Sequence, residues 1–155
     1  MSASNRDEMM KKLDFFIGHW DMEVTHPHIQ PNPILGHSSI EWMEEKYIIQ
    51  RIQINKSEFP SSTTIYDWDA KMDQYVMHYF DSRGVTRLYQ MTLGDGVWKW
   101  WRDKADFSSL KFFQRSTGKV DETGTVIESI LEKSDDGINW EHDFKTVYRK
   151  VEEQM

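Results

Sequence analysis

The chain has 155 residues, a net charge of −7 at neutral pH, a sequence pI near 5.3 and no cysteine. The acidic balance argues against binding to nucleic acids or anionic membranes, because both need basic patches. Without cysteine there can be no disulfide, thiolate nucleophile or cysteine-ligated metal. We see no signal-peptide stretch and no apolar run of membrane-spanning length, so we expect a cytoplasmic protein.

The chain opens with a short predicted helix. Ser4 or Asn5 can cap it, and apolar residues recur along one side at helical spacing. A chain of this length fits one domain, residues 1–155. We expect residues 1–16 to form a lid over one end of a body made by residues 17–150.

After Gly18 the pattern changes to a period of two. In the first segment Trp20, Met22 and Val24 alternate with polar residues, which is typical of a strand with one buried face. Breaks rich in Gly, Asp and Asn separate the later segments and favour tight turns. The predicted strands cover residues 20–26, 36–43, 46–55, 62–68, 74–81, 85–93, 96–102, 109–117, 124–134 and 138–150.

About ten strands joined by short turns predict an all-β, antiparallel up-and-down arrangement. An open sheet of that size leaves two exposed edges and a bare apolar face, and closure into a barrel removes both. A ten-stranded barrel is wider than its own side chains need, so its interior has room for a ligand. A two-sheet sandwich is the alternative fold.

The tripeptide Gly18-His19-Trp20, just after the helix, resembles the Gly-x-Trp signature of the calycins, the lipocalin and fatty-acid-binding-protein superfamily. The resemblance implies a lipocalin-like barrel whose tryptophan lies at the closed end against an arginine of the last strand. Arg149 is the candidate for that arginine. Segments 66–69, 79–84 and 134–141 are also similar to an uncharacterised bacterial lipocalin-like group, which implies no activity.

Strand alternation assigns side chains to the inner face. In the last strand the charged residues Glu141, Asp143 and Lys145 favour the outside, so the intervening residues, Trp140 among them, should point inward. The predicted ligand-binding residues are Arg87, Tyr89, Trp98, Trp100, Arg102, His142, Phe144 and Tyr148.

Two arginines among interior aromatics predict a binding site for a small hydrophobic or amphiphilic anion. A buried guanidinium is costly unless paired, and a carboxylate, phosphate or enolate would pair with it. Arg87 and Arg102 would hold the headgroup, aromatic side chains would form the walls, and His142 would orient a polar group. The alternative is that both arginines pair with Asp or Glu or face solvent.

Three other functions stay open. The pocket could belong to an enzyme of isomerase or cyclase type, with His142 beside a second ionisable group. It could hold haem through His142, although we expect no cofactor. The protein could also be a homodimeric interaction module using the outer aromatics Trp101 and Phe113. No recognisable catalytic set appears, so binding is favoured over catalysis.

Four of the six histidines lie in the first third of the chain, at His19, His26, His28 and His37. Neutral imidazole is a common metal ligand, and His26-Pro27-His28 alternates as a strand-end pair would. The surrounding loop contains no acidic residue and is rich in proline. We therefore predict no metal site.

Overall fold

The computed structural model describes residues 3–27 and 32–152. Within them, ten strands form one closed antiparallel barrel in which each strand pairs with the next and the last pairs with the first. The predicted all-β up-and-down barrel with a short N-terminal helix is confirmed. The elements are α1 (Ala3–Lys11), a 3₁₀ turn (Asp14–Phe16), β1 (Gly18–Thr25), β2 (Ile34–Met43), β3 (Tyr47–Ile54), β4 (Ser62–Asp69), β5 (Gln74–Asp81), β6 (Thr86–Gly94), β7 (Val97–Arg102), β8 (Phe113–Val120), β9 (Val126–Ser134) and β10 (Glu141–Lys150).

The helical segment covers one end of the barrel. Its apolar residues Met10, Leu13 and Phe16 are buried in the main core. The indole Nε1 of Trp20 donates to the Phe16 carbonyl at 2.8 Å, and Lys150 Nζ donates to the Phe15 carbonyl at 2.7 Å. We call this the helix end, and we call the opposite end, where β1–β2, β7–β8 and β9–β10 are joined, the loop end.

Gly18 starts β1 in a conformation that side chains resist. Its φ is +133°, and a Cβ added there would lie 3.0 Å from Lys150 Cε. Glycine therefore permits both the turn out of the helical segment and the close approach of the Lys150 side chain. The next inward residue, Trp20, is 1% exposed.

The expected contact between Trp20 and Arg149 is wrong. The β1–β10 register places Trp20 opposite Lys150 and Asp21 opposite Arg149. Because adjacent residues of a strand face opposite sides, Arg149 lies exposed on the outer surface. The ammonium of Lys150 takes the expected place, 5.5 Å from the centroid of the Trp20 ring.

Polar side chains share the interior with the aromatics. Gln50 Nε2 donates to Ser38 Oγ at 2.9 Å, and the Tyr66 hydroxyl donates to Gln50 Oε1 at 2.6 Å. All three residues are buried, so the hydrogen bonds offset the cost of burying them. The described helices include none that is long and apolar enough to cross a membrane.

Candidate ligand-binding site at the loop end

Three aromatic side chains form a row on the inner faces of β5, β6 and β7. The rings of Tyr79 and Tyr89 meet edge to face with centroids 5.9 Å apart, and those of Tyr89 and Trp100 do so at 4.7 Å. Such contacts fix ring orientation beyond simple area burial. The row therefore offers a rigid apolar wall in the half of the barrel nearer the loop end.

Arg87 lies beside this row, opposite Tyr79 in the β5–β6 register. Its Nε is buried without an acceptor, and its guanidinium carbon lies 5.5 Å from the centroid of the Phe112 ring. Among the described residues no carboxylate lies within ion-pair distance of this guanidinium. Arg87 thus brings a positive charge to an aromatic setting without a counter-ion from that part of the chain.

Tyr89 links Arg87 to β8. Its hydroxyl donates to Gln114 Oε1 at 2.8 Å. Burial raises the pKa of Tyr89, and the hydrogen bond and charge of Arg87 partly oppose that rise. The hydroxyl is therefore neutral at physiological pH and holds its place between a cation and an amide.

Arg102 pairs with an aspartate, which is the alternative that the sequence left open for the two arginines. Its side chain is 2% exposed and that of Asp106 is 5% exposed. Nε and Nη2 donate to the two carboxylate oxygens of Asp106 at 2.9 Å each, and Nη2 also donates to the Ser108 carbonyl. This bidentate pair neutralises Arg102 and anchors the segment between β7 and β8.

The acidic partner is tuned by the same contacts. Burial acts to raise the pKa of Asp106, but hydrogen bonds from Arg102 and from the Leu88 and Ser108 N–H groups outweigh it and hold that pKa well below its usual range. The pair stays charged at every physiological pH. We therefore leave Arg102 out of the ligand site.

The inward placement of His142 and Trp140 is wrong. The pairing of β10 with β9 shifts by one residue between His142 and Lys145, which is a β-bulge. His142, which pairs with Glu132, lies before this bulge. Because the bulge reverses which face of the strand points inward, His142 is exposed. Trp140 likewise lies under the guanidinium of Arg115, 3.9 Å from its ring centroid.

The bulge also buries a residue that was predicted to face water. Asp143 is 9% exposed, and its Oδ1 lies 3.1 Å from His26 Nε2. The His26 ring packs against Phe144 with centroids 4.9 Å apart, and Phe59 packs on Phe144 at 5.9 Å. Phe144 therefore packs against a second apolar cluster, which is formed by Met22, Val24 and Ile34.

The remaining predicted wall residues lie deeper in the barrel. Trp98 is 3% exposed and contacts Phe16 of the helical segment and Tyr148 of β10. Burial raises the pKa of Tyr148 to about 12, so its hydroxyl is neutral. Trp98 and Tyr148 thus line the helix half of the interior, whereas Tyr89 and Trp100 line the loop half.

Three buried N–H donors in the described part of the chain have no acceptor: Trp68 Nε1, Arg87 Nε and Trp98 Nε1. The same set contains no buried side-chain acceptor that lacks a donor. Unsatisfied buried polar groups are rare and call for a partner. Here the missing partners are acceptors.

Sequence reasoning missed Tyr79, Phe112 and Gln114. β5 carries large side chains on both faces, so alternation could not choose between them. Residues 109–112 were predicted as strand but precede β8, which begins at Phe113. Gln114 shares a face with the small residues Ser116 and Gly118, whereas Arg115 and Lys119 fall on the other face, and that pattern was the one signal that could have placed it inside.

The predicted outer aromatics and the described histidines considered as metal ligands lie elsewhere on the barrel. Trp101 and Phe113 line an outer groove of about 650 Å³ over β7 and β8. Within residues 3–27 and 32–152 no group of three His, Cys, Asp or Glu side chains converges as a metal site. His28 lies outside the described residues, so the prediction for the His26–His28 pair stays a prediction.

No family model matches this chain, and no curated protein matches it. Among solved structures it is similar to Rv2717c from Mycobacterium tuberculosis, with a TM-score of 0.64, 11% identity, and coverage of 92% of this chain and 97% of the other. It is also similar to a DUF3598-family protein of unknown function from Nostoc punctiforme, with a TM-score of 0.60, 10% identity, and coverage of 90% and 49%. Both likenesses concern the fold, a ten-stranded β-barrel whose neighbours include proteins of unknown function.

Proposed function

We propose that this protein is a calycin-like barrel that binds a small amphiphilic anion in the loop half of its interior. The observation that carries the proposal is Arg87, whose buried Nε lacks an acceptor and whose charge lacks a carboxylate partner among the described residues. An unpaired guanidinium in an apolar setting is costly. A ligand carboxylate or phosphate would remove that cost through charge-assisted hydrogen bonds.

The surroundings of Arg87 suit the apolar part of such a ligand. Tyr79, Tyr89 and Trp100 supply a fixed aromatic wall, and Phe112 lies over the guanidinium. Apolar walls with a few placed polar groups are typical of small-molecule sites. Of the three buried donors that lack an acceptor in the described part of the chain, Arg87 Nε is the one that lies in the loop half, and a donor there favours an anionic ligand over a cationic one.

The haem-binding and enzyme hypotheses both required His142 to point into the barrel. A haem ligand or a general base must reach the interior, and His142 is exposed on the outer face of β10. We therefore propose a site that includes Arg87, Tyr89 and Trp100 and excludes Arg102 and His142. Binding there involves no covalent step.

The test compares a charged ligand with its neutral analogue. The refolded, ligand-free protein is titrated with dodecanoate and with dodecanol, and tryptophan fluorescence reports binding. We expect Arg87→Gln to weaken dodecanoate binding by roughly 10–100-fold, since a hydrogen bond to a charged group contributes about 1.5–3 kcal/mol. Binding of dodecanol should change little.

Arg51→Gln is the matched control, because Arg51 is exposed and pairs with Glu41 on the outside of the barrel. It should bind both ligands as the wild type does. The proposal is overturned if the wild type binds neither ligand, or if Arg87→Gln binds dodecanoate with undiminished affinity. Native mass spectrometry of the freshly purified protein would show in addition whether a small molecule is retained.

A further inference from the structure

Two histidines that are far apart in sequence meet on the outer surface near the helix end. His19 of β1 and His37 of β2 are diagonal neighbours in the strand register. His19 Nδ1 lies 3.1 Å from His37 Nε2, and the rings stack with an interplanar angle of 24°. The two nitrogens form a hydrogen bond at an exposed position, with the donor set by the tautomers, and a bound metal ion would take the place of the proton between them.

This spacing matches that of two imidazoles bound to one metal ion. Imidazole nitrogens bind Zn²⁺ and similar ions at about 2.0–2.1 Å, which places two such ligands roughly 2.9–3.4 Å apart for angles between square-planar and tetrahedral. The observed separation of 3.1 Å lies inside that range. We propose that His19 and His37 form a chelating site for a divalent transition-metal ion, with water completing the coordination.

Asp21 occupies the position of a supporting carboxylate. Its Oδ1 lies 3.7 Å from His37 Nδ1, the ring nitrogen that does not face His19. Metal-ligating histidines commonly direct their second N–H toward a carboxylate, which fixes the tautomer that leaves the ligating nitrogen unprotonated. Asp21 therefore favours the form of His37 in which Nε2 can bind a metal.

The donor set indicates which ions fit. Two neutral imidazoles plus water suit Cu²⁺, Ni²⁺ or Zn²⁺ and are unlike the oxygen-only shells that Ca²⁺ and Mg²⁺ prefer. Among the first three ions, Cu²⁺ binds nitrogen ligands most strongly and reports their number in its EPR spectrum. Cu²⁺ is therefore the probe.

The experiment titrates the 155-residue protein with Cu²⁺ by calorimetry and records EPR spectra at one equivalent. We expect one ion per chain with two nitrogen ligands. His19→Gln and His37→Gln should each weaken binding by more than the roughly 10–100-fold that loss of a supporting partner costs. Asp21→Asn should weaken binding less and keep both nitrogens.

His142→Gln is the control, because it removes an exposed histidine from a distant part of the outer surface. Its affinity should equal that of the wild type. The proposal fails if the wild type binds no Cu²⁺, if His19→Gln and His37→Gln bind as the wild type does, or if His26→Gln alone abolishes binding. The site does not depend on the ligand proposed for the barrel interior.

Discussion

Arg87 and Arg102 are both inward residues of neighbouring strands, and their surroundings differ in one respect. Arg102 meets a carboxylate brought back by the segment after its own strand, whereas Arg87 meets aromatic rings and a tyrosine hydroxyl. Alternation treats the two residues alike because it assigns faces and not partners. The return of Asp106 to Arg102 depends on loop geometry, which strand periodicity does not encode.

Gly18 should contribute to stability because a side chain fits poorly at its position. Gly18→Ala combines a strained backbone with a close approach to Lys150, and we expect it to lower the free energy of unfolding by about 1–3 kcal/mol. Urea denaturation measures the loss.

Substitutions at two other glycines separate the effect of backbone strain from that of the close contact. Gly84→Ala introduces only strain, because φ is +84° and no atom lies within 4 Å of the added Cβ. Gly94→Ala introduces neither effect and should be close to neutral. Equal losses at positions 18 and 94 would contradict the explanation.

The elements differ in how closely the sequence predicts them. Strands with one polar face, such as β1, follow their alternation to within about two residues. β8 begins four residues later than predicted, because the preceding segment is held by the Arg102–Asp106 pair and does not enter the ladder. Periodicity thus predicts that a strand is present, whereas the residues at which it begins and ends depend on tertiary contacts.

The last strand shows why part of the site could not be predicted. One extra residue between His142 and Lys145 leaves Tyr148 inside and puts His142 outside. No glycine or proline marks the position, so the polar pattern of Glu141, Asp143 and Lys145 read as unbroken alternation. A one-residue shift in register reverses every facing beyond it.

The helical segment should contribute to stability by covering the core at the helix end. Leu13 is fully buried where this segment meets the barrel core. Leu13→Ala should lower the free energy of unfolding by about 2–5 kcal/mol, through lost burial and the cavity left behind. The neighbouring exposed residue supplies the control, and Lys12→Ala should change stability by less than about 0.5 kcal/mol. Equal effects at both positions, measured by urea denaturation, would show that the segment does not seal the core.

The stability of the protein in acid should depend on buried carboxylates. The Asp81 side chain is fully buried, and burial alone would raise its pKa. Hydrogen bonds from Arg83 and Tyr79 and from the N–H groups of residues 83 and 85 outweigh burial and lower the pKa to about 2, against an ordinary value of 3.8. The folded state therefore favours the ionised form.

The lowered pKa of Asp81 makes the stability of the protein depend on pH. A carboxylate whose pKa is lower in the folded state stabilises the protein above its unfolded pKa, and that contribution is lost as pH falls through the folded pKa. We expect the wild type to exceed Asp81→Asn in stability at pH 5–7, and this excess to shrink by on the order of 1–2 kcal/mol between about pH 4 and pH 2. Denaturant titrations at each pH measure the difference.

Asp135→Asn provides the comparison, because Asp135 is exposed and has no hydrogen bond or ion pair in the described structure. Its difference from the wild type should show no comparable trend with pH. If the stability excess of the wild type over Asp81→Asn stays constant down to pH 2, the Asp81 carboxylate is not preferentially ionised in the folded protein.

Closure of the barrel has a kinetic consequence. β1 pairs with β10, so Trp20 lies opposite Lys150, nearly the whole length of the chain away. Every other strand pair joins sequence neighbours across a short connection, and only the closing ladder demands the entropy of a very long loop. Proteins dominated by non-local strand pairing fold in milliseconds to seconds, far more slowly than helical bundles. The β1–β10 ladder should therefore form last during folding and separate first during unfolding. The hydrogen bond from Lys150 Nζ to the Phe15 carbonyl ties the helical segment to β10 and so stabilises this ladder.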